Sequence, residues 1–231
     1  GPYERASMIA HYLKSQKPKS KLIILDAKPQ FSKMDLFQEA WAEHSPDHLE
    51  WRGPSDDGAI LRVDPETKTA FSDFSEESGG LINVIPPQKA AEIAVRAGVT
   101  DATGWCPIDP LSFQSRLQDS IHVIGDATIA APMPKSAFSA NLQGKVCAIA
   151  VARILNGLAP EPTVLANTCY SYTTPDEAIS IAGVYTNEGG RLQSVAGAGG
   201  VSPLSVDPSI RNAEAAQAAH WFQTITDEAF G

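Results

Sequence analysis

The sequence predicts an α/β fold, because patterns typical of helices alternate with patterns typical of buried strands. Within residues 3–13 the apolar side chains recur at helical spacing, and the polar stretch that follows ends the helix. Residues 21–26 contain the apolar run Leu-Ile-Ile-Leu, which is typical of a strand buried on both faces of a parallel sheet. A strand and a long helix are predicted again within residues 121–155.

The first 98 residues are predicted to form one α/β region with a small β-meander inserted in it. The helices of this region are expected at residues 3–13, 32–43 and 89–97. The buried strands are expected at residues 21–26 and 81–85, and the meander at residues 49–51, 59–63 and 69–71. Pro86 and Pro87 stop the second buried strand, and Gly98 closes the last helix of the region.

Two further regions are predicted, at residues 99–159 and 160–231. The first of them contains a strand at 121–124 and a helix over about 139–155 that Gly157 ends. The second is rich in Gly, Thr, Ser and Pro and reads as a small α+β domain, with alternating stretches near 170–172 and 179–185 and a final helix over 208–230.

Composition excludes several classes of function. The formal charge of −9 argues against a nucleic-acid-binding surface. No apolar run approaches the ~18 residues of a membrane span. The three cysteines, Cys106, Cys147 and Cys169, are too few for a disulfide framework or a zinc site, and no metal is expected.

The segment around Gly125 and Asp126 carries the main chemical signal. A buried strand ending in Gly-Asp would place a carboxylate at the edge of the sheet where open α/β folds bind ligands. Asp126 could then accept hydrogen bonds from sugar-like hydroxyls. Alternatively, Gly-Asp is an ordinary turn that caps a helix or loop.

Lys135 and Ser136 lead into the following helix. The N–H groups and partial positive charge at a helix start suit an oxyanion or an electron-rich ring edge. Lys135 either supports such a group electrostatically or is a solvated loop lysine. The whole pattern of apolar strand, Gly125-Asp126, Pro-containing loop, Lys135-Ser136 and helix resembles the FAD-ribityl motif of two-dinucleotide-domain flavoprotein reductases.

Five further segments narrow the resemblance. They read Gly-Pro-Tyr-Glu-Arg-Ala-Ser at residues 1–7, Val-Ile-Pro-Pro-Gln at 84–88, Gly-Trp-Cys-Pro-Ile-Asp at 104–109, Pro-Met-Pro-Lys-Ser at 132–136 and Asn-Thr-Cys-Tyr-Ser at 167–171. Together they are similar to the flavin subunit of flavocytochrome c sulfide dehydrogenase, over the whole of residues 1–231.

The resemblance implies an incomplete two-dinucleotide-domain fold. Residues 1–98 would be a nicotinamide-domain-like region, residues 99–159 the second half of the FAD domain, and residues 160–231 the family's carboxyl-terminal domain. The glycine fingerprint that cradles the FAD pyrophosphate is absent. The chain is therefore expected to be a carboxyl-terminal fragment whose FAD site is incomplete.

The resemblance also implies a reaction. Sulfide is the substrate, FAD accepts two electrons, and a c-type cytochrome subunit removes them. Cys169 matches one cysteine of a redox disulfide beside the flavin, and its partner would lie just before residue 1. Without the resemblance, Cys169 reads as a small buried hydrophobe. Trp221 is either a core aromatic or a wall of the flavin pocket.

Alternatives stay open at this point. The parent protein could be a sulfide:quinone or NADH:acceptor reductase, or the chain could be a cofactor-free dimerisation or interaction module. Asp26 has the spacing of an acid that binds the ribose of NAD, although only Gly1 remains of a glycine pattern. The resemblance implies a periplasmic location, a homo-oligomer is a further expectation, and the isolated chain is expected to be inactive.

Overall fold

The computed structural model describes residues 1–231 and divides them into two compact units. The first unit comprises Gly1–Pro86, Tyr170–Ile179 and Ser202–Gly231, and the second comprises Pro87–Cys169 and Ser180–Val201. Five α-helices and eleven strands give a mixture of helix and sheet that is compatible with the α/β class. The three regions predicted from the sequence remain a proposal.

The first unit begins with two helices and two parallel strands. In order they are α1 (Pro2–Gln16), β1 (Leu22–Leu25), α2 (Met34–His44) and β2 (Leu49–Arg52). Strand β2 pairs with β1 in parallel, with Leu22 opposite Leu49, because α2 returns the chain to the starting edge. Both helices and β1 were predicted, whereas the assignment of residues 49–51 to a meander was wrong.

The hydrophobic core of the first unit is strongly aromatic. Tyr3, Phe37 and Trp41 are buried where α1 and α2 cover the parallel strands. Tyr3 also stacks on Phe31, with 3.6 Å between the ring centroids. Large aromatic side chains bury enough area to stabilise a two-stranded sheet that would be marginal alone.

An antiparallel three-stranded sheet follows in the first unit, made of β3 (Arg62–Asp64), β4 (Thr69–Phe71) and β5 (Glu76–Ser78). The meander strand at 69–71 is thus confirmed and the one at 59–63 in part, since β3 begins only at Arg62, while β5 lacks apolar alternation and was missed. The buried strand predicted at residues 81–85 is wrong. Leu81 is 85% exposed and the segment has no regular structure, because no neighbouring strand pairs with it.

The second unit contains α3 (Glu92–Arg96), β6 (Cys106–Pro107), β7 (Thr128–Ile129) and α4 (Ala137–Leu155). Strands β6 and β7 pair in parallel, with Cys106 opposite Thr128. The strand predicted at residues 121–124 is wrong: only a single bridge joins His122 to Gln114, and Ile124 is 45% exposed. The residues that follow form a 3₁₀ turn, Gly125–Ala127.

The carboxyl-terminal third supplies a four-stranded sheet and the last helix. These elements are β8 (Leu165–Thr174), β9 (Glu177–Glu188), β10 (Arg191–Ser194), β11 (Gly200–Val201) and α5 (Pro208–Phe230). Strand β9 is central and pairs with the other three strands. The bounds of α5 coincide with the predicted helix. None of the helices combines the length and the apolar character that crossing a membrane requires.

Candidate functional site

A cavity of about 160 Å³ lies within the second unit, beside the 3₁₀ turn and the first turns of α4. Its lining includes Trp105, Gly125, Asp126, Lys135, Ser139 and Gln143. Of the predicted site residues, the structure therefore brings Gly125, Asp126 and Lys135 together around one space.

The turn at Gly125 is fixed against α4 by a buried glutamine. Gly125 has a φ of 72°, a conformation that favours glycine. Its N–H donates to Oε1 of Gln143 at 2.7 Å, and the Gln143 side chain is only 2% exposed. Thr128 Oγ1 donates to the carbonyl of Gly125 at 2.8 Å. Gln143 was missed in the sequence, where a polar residue inside the apolar α4 was the only signal.

Asp126 lies on the rim of the cavity with its side chain exposed. Gln143 and Thr128 hold the backbone of Gly125 just before it, and Lys135 binds the carbonyl of Asp126 itself, so the backbone that carries the carboxylate is fixed. Its oxygens can accept hydrogen bonds from the hydroxyls of a ligand.

Lys135 places a positive charge at the same cavity. Its Nζ donates to the carbonyls of Asp126 at 2.5 Å and Thr128 at 2.7 Å, and lies 3.9 Å from the centroid of the Trp105 ring. Burial lowers the pKa of the Lys135 ammonium, and the nearby Asp126 carboxylate acts in the opposite direction. The pairing of β6 with β7 brings Trp105, which was not among the predicted site residues, next to the turn.

Ser136 does not line the cavity but organises the start of α4. It is the N-cap, and its Oγ accepts from the N–H of Ser139 at 3.1 Å. The Ser136 hydroxyl donates to Oδ1 of Asn167 at 2.5 Å, and the Ser139 hydroxyl donates to the same oxygen at 3.1 Å. One asparagine on β8 is thus bonded to the first turn of the helix that borders the cavity.

Cys169 lies on β8, two residues beyond Asn167, and is half-buried. Nδ2 of Asn167 donates to its Sγ at 3.3 Å. None of the three cysteines forms a disulfide with another, but burial raises the pKa of Cys106 and of Cys147, which makes these two poor nucleophiles. Cys106 is fully buried in a small core cluster, as a packing residue would be.

Two predicted ligand contacts lie elsewhere. Trp221 is half-buried on α5 in the first unit and is not among the residues that line the cavity. Asp26, the possible ribose acid, is buried in the first unit. It accepts from the Tyr3 hydroxyl at 2.6 Å, from Trp51 Nε1 at 3.3 Å and from the N–H of Lys28 at 3.0 Å. These bonds leave the Asp26 carboxylate little capacity for a ribose.

The residues around the cavity fit one end of a dinucleotide cofactor. A cavity of about 160 Å³ is smaller than the ~300–1,000 Å³ of sites that enclose a whole drug-sized ligand. The exposed acceptor Asp126 suits a polyol such as a ribityl chain. The Lys135 charge and the α4 N-terminus suit a ring that gains negative charge. We expect these residues to hold the ribityl and ring end of FAD when it is bound.

Among solved structures, the chain is similar to a chain in a cryo-EM structure of Tetrahymena thermophila mitochondrial ATP synthase. The TM-score is 0.60 at 17% sequence identity, and the match covers 94% of this chain. The chain spans 62% of the length of the matched one. At this identity the likeness concerns the fold alone.

Two family models match the sequence. One describes the central part of the sulfide dehydrogenase [flavocytochrome c] flavoprotein chain and matches residues 1–86. The other describes the flavin-binding part of flavocytochrome c sulphide dehydrogenase and matches residues 161–230, which supports FAD as the cofactor. Together they span about two thirds of the chain, and residues 87–160, which hold the cavity, lie between them. The chain therefore belongs to the family of the flavin-binding subunit of flavocytochrome c sulfide dehydrogenase.

Proposed function

We propose that the protein to which these residues belong is an FAD-dependent oxidoreductase that oxidises sulfide and passes the electrons to a c-type cytochrome. The observation that carries the proposal is a single hydrogen-bond network. It joins the Cys169 thiol through Asn167 to Ser136 and Ser139, and Ser139 lines the cavity. A thiol and a cavity suited to FAD are the two sites that a disulfide-linked flavin reaction requires.

The fold and the extent of the chain belong to the same proposal. The cavity holds one end of FAD, so the pyrophosphate cradle would come from a glycine-rich loop outside these 231 residues. The units of the structure would then be parts of a two-dinucleotide-domain fold, with this chain as its carboxyl-terminal portion. A periplasmic location and a homo-oligomeric state are further expectations.

The proposed chemistry starts from a disulfide between Cys169 and a second cysteine that the resemblance places just before Gly1. Hydrosulfide attacks one sulfur of this disulfide, the S–S bond breaks, and the other sulfur leaves as a thiolate with the bonding electron pair. Overall, hydrosulfide loses two electrons and a proton and becomes zero-valent sulfur. When bound, FAD supplies the two-electron acceptor that also takes up a proton, and the cytochrome partner reoxidises it in one-electron steps.

The residues at the cavity have separate roles in this reaction. Asp126 binds the polyol portion of the cofactor, and the turn at Gly125 keeps that carboxylate in place through Gln143. The Lys135 ammonium, held on two carbonyls, offsets negative charge that develops at the ring. The Asp26 carboxylate already accepts hydrogen bonds from Tyr3 and Trp51, so it gives no support to an NADH:acceptor reductase.

The test is the Cys169→Ser variant of the full-length flavoprotein. Flavin absorbance after mixing with sulfide should show no reduction, while FAD remains bound at the wild-type level. Cys147→Ser is the matched control, since Cys147 lies inside α4, and it should reduce flavin normally. A wild-type reduction rate in Cys169→Ser would remove this residue from the mechanism. Reoxidation by cytochrome c, a quinone or NAD⁺ identifies the acceptor.

A further inference from the structure

Asn167 is a buried polar side chain of the second unit that connects β8 with the start of α4. It is 2% exposed, and both ends of its amide are engaged. Oδ1 receives the hydroxyls of Ser136 and Ser139, while Nδ2 faces the Cys169 sulfur. Since the sequence offers only an Asn two residues before a Cys on a strand, the connection with α4 emerges only in three dimensions.

The hydrogen-bond network fixes which end of the amide meets the sulfur. Ser136 Oγ already accepts the N–H of Ser139, so the hydroxyl hydrogen of Ser136 is free to be donated to Asn167. An amide oxygen is the acceptor for that hydrogen, and the amide NH₂ must then point at Cys169. The nearer contact of the sulfur is therefore with the Nδ2 donor, at 3.3 Å, while Oδ1, which already accepts two hydroxyls, lies 3.5 Å from the sulfur and can accept the thiol hydrogen.

We propose that Asn167 is a positioning residue that stabilises the thiolate form of Cys169, and that Cys169 is accordingly the sulfur that leaves when sulfide attacks the disulfide. An N–H donor favours a thiolate over a thiol, because the negative sulfur is the stronger acceptor. The hydrosulfide lone pair forms the new S–S bond to the second cysteine. The electron pair of the broken bond stays on Cys169. This inference rests on the proposed function.

One titratable neighbour faces the same sulfur. Tyr185 on β9 is 7% exposed, and its pKa is raised first by burial and then by the charge of Cys169. The raised pKa keeps Tyr185 protonated, so Tyr185 brings no negative charge to the sulfur that Asn167 contacts.

The test measures alkylation of Cys169 by iodoacetamide as a function of pH in the 231-residue chain, with the modified peptide quantified by mass spectrometry. Asn167→Asp keeps an oxygen for the two serines but replaces the N–H donor with a negatively charged acceptor. We expect its alkylation profile to move to higher pH and its rate at pH 7.5 to fall about tenfold. Asn167→Ser, which also loses the donor, should be slowed several-fold.

Ser139→Ala is the matched control, because it removes one bond to Asn167 and leaves the contact with sulfur. Its profile should stay within about twofold of the wild type. Cys106 serves as an internal gauge of folding: it is fully buried and is alkylated quickly only if a variant unfolds. If Asn167→Asp unfolds, the alkylation profile of Cys169 in Asn167→Ser decides the outcome.

The result that overturns the proposal is a wild-type alkylation profile in folded Asn167 variants. This outcome is separate from failure of the proposed function, because alkylation needs neither sulfide nor flavin. Unchanged flavin reduction in Cys169→Ser would refute the proposed function, whatever the alkylation profile shows.

Discussion

Asp26 and Asp126 come from similar sequence contexts, an apolar run followed by an aspartate, and the structure treats them in opposite ways. Asp26 is 8% exposed and its carboxylate is engaged by the Tyr3 hydroxyl, Trp51 Nε1 and a backbone N–H. Asp126 is exposed on the rim of a cavity, and only the backbone around it is fixed. The first carboxylate is engaged within the fold, whereas the second lies exposed at a cavity, as we propose for a ligand contact.

The difference shows that the partners of an acid, more than its place after an apolar segment, decide its use. The partners of Asp26 are distant in sequence: Tyr3 lies 23 positions before it and Trp51 lies 25 positions after it, and only the fold brings them together. The turn at Asp126 is instead held by Gln143 through the N–H of Gly125, which leaves the carboxylate oxygens for hydroxyl groups.

The largest expected effect is on stability at Asp26. Asp26→Ala leaves the Tyr3 hydroxyl and the Trp51 indole N–H without an acceptor in the first unit, which should lower the free energy of unfolding by about 3 kcal/mol. Asp126→Ala is the matched control and should change it by less than about 0.5 kcal/mol. Urea unfolding measures both. Equal losses of unfolding free energy in the two variants would show that Asp26 contributes no more to stability than Asp126.

A second variant tests the hydrogen bond that holds the turn before Asp126. Gln143→Leu keeps the volume of a buried side chain but removes the acceptor of the Gly125 N–H, so the free energy of unfolding should fall by about 2 kcal/mol. Gln223→Leu, at an exposed position of α5, controls for the change in composition. A Gln143→Leu chain as stable as the wild type would show that the turn needs no such support.

The smallest effect concerns alkaline pH. Burial, and then the hydrogen bond to Asp26, raise the pKa of Tyr3 well above its usual value of about 10. Unfolded Tyr3 loses its proton above pH ~10 while folded Tyr3 keeps it, so wild-type stability should fall as the pH rises past this point. Tyr3→Phe has no hydroxyl to ionise at this position. The amount by which its free energy of unfolding lies below that of the wild type should therefore shrink by about 1 kcal/mol between pH 10 and 11. A constant deficit would contradict the burial of Tyr3 against Asp26.

The sequence predicted the helices better than the strands. The bounds of α5 and most of α4 follow from periodicity, Ser136 and Gly157, all of which are local signals. Residues 81–85 and 121–124 have strand-like composition, yet neither segment finds a strand to pair with over more than one bridge. Pairing is a tertiary property that no local pattern contains.

The candidate site shows the same division. The cluster of Gly125, Asp126 and Lys135 could be predicted because one segment of eleven residues contains it. Gln143 and Asn167 could not, since their roles depend on hydrogen bonds to backbone or hydroxyl groups 18 and 31 residues away. The predicted ligand role of Trp221 remains a prediction.

The central claim is that the Asp126 cavity binds one end of FAD while Asp26 binds no nucleotide. The most direct test is a titration of the isotope-labelled 231-residue chain with FAD, followed by amide and indole NMR signals. We predict weak binding, with shifts at Gly125, Lys135 and the Trp105 indole, and with Asp126→Ala weakening it about tenfold. Shifts centred on Lys28 and Trp51, or none at Gly125, would contradict the claim.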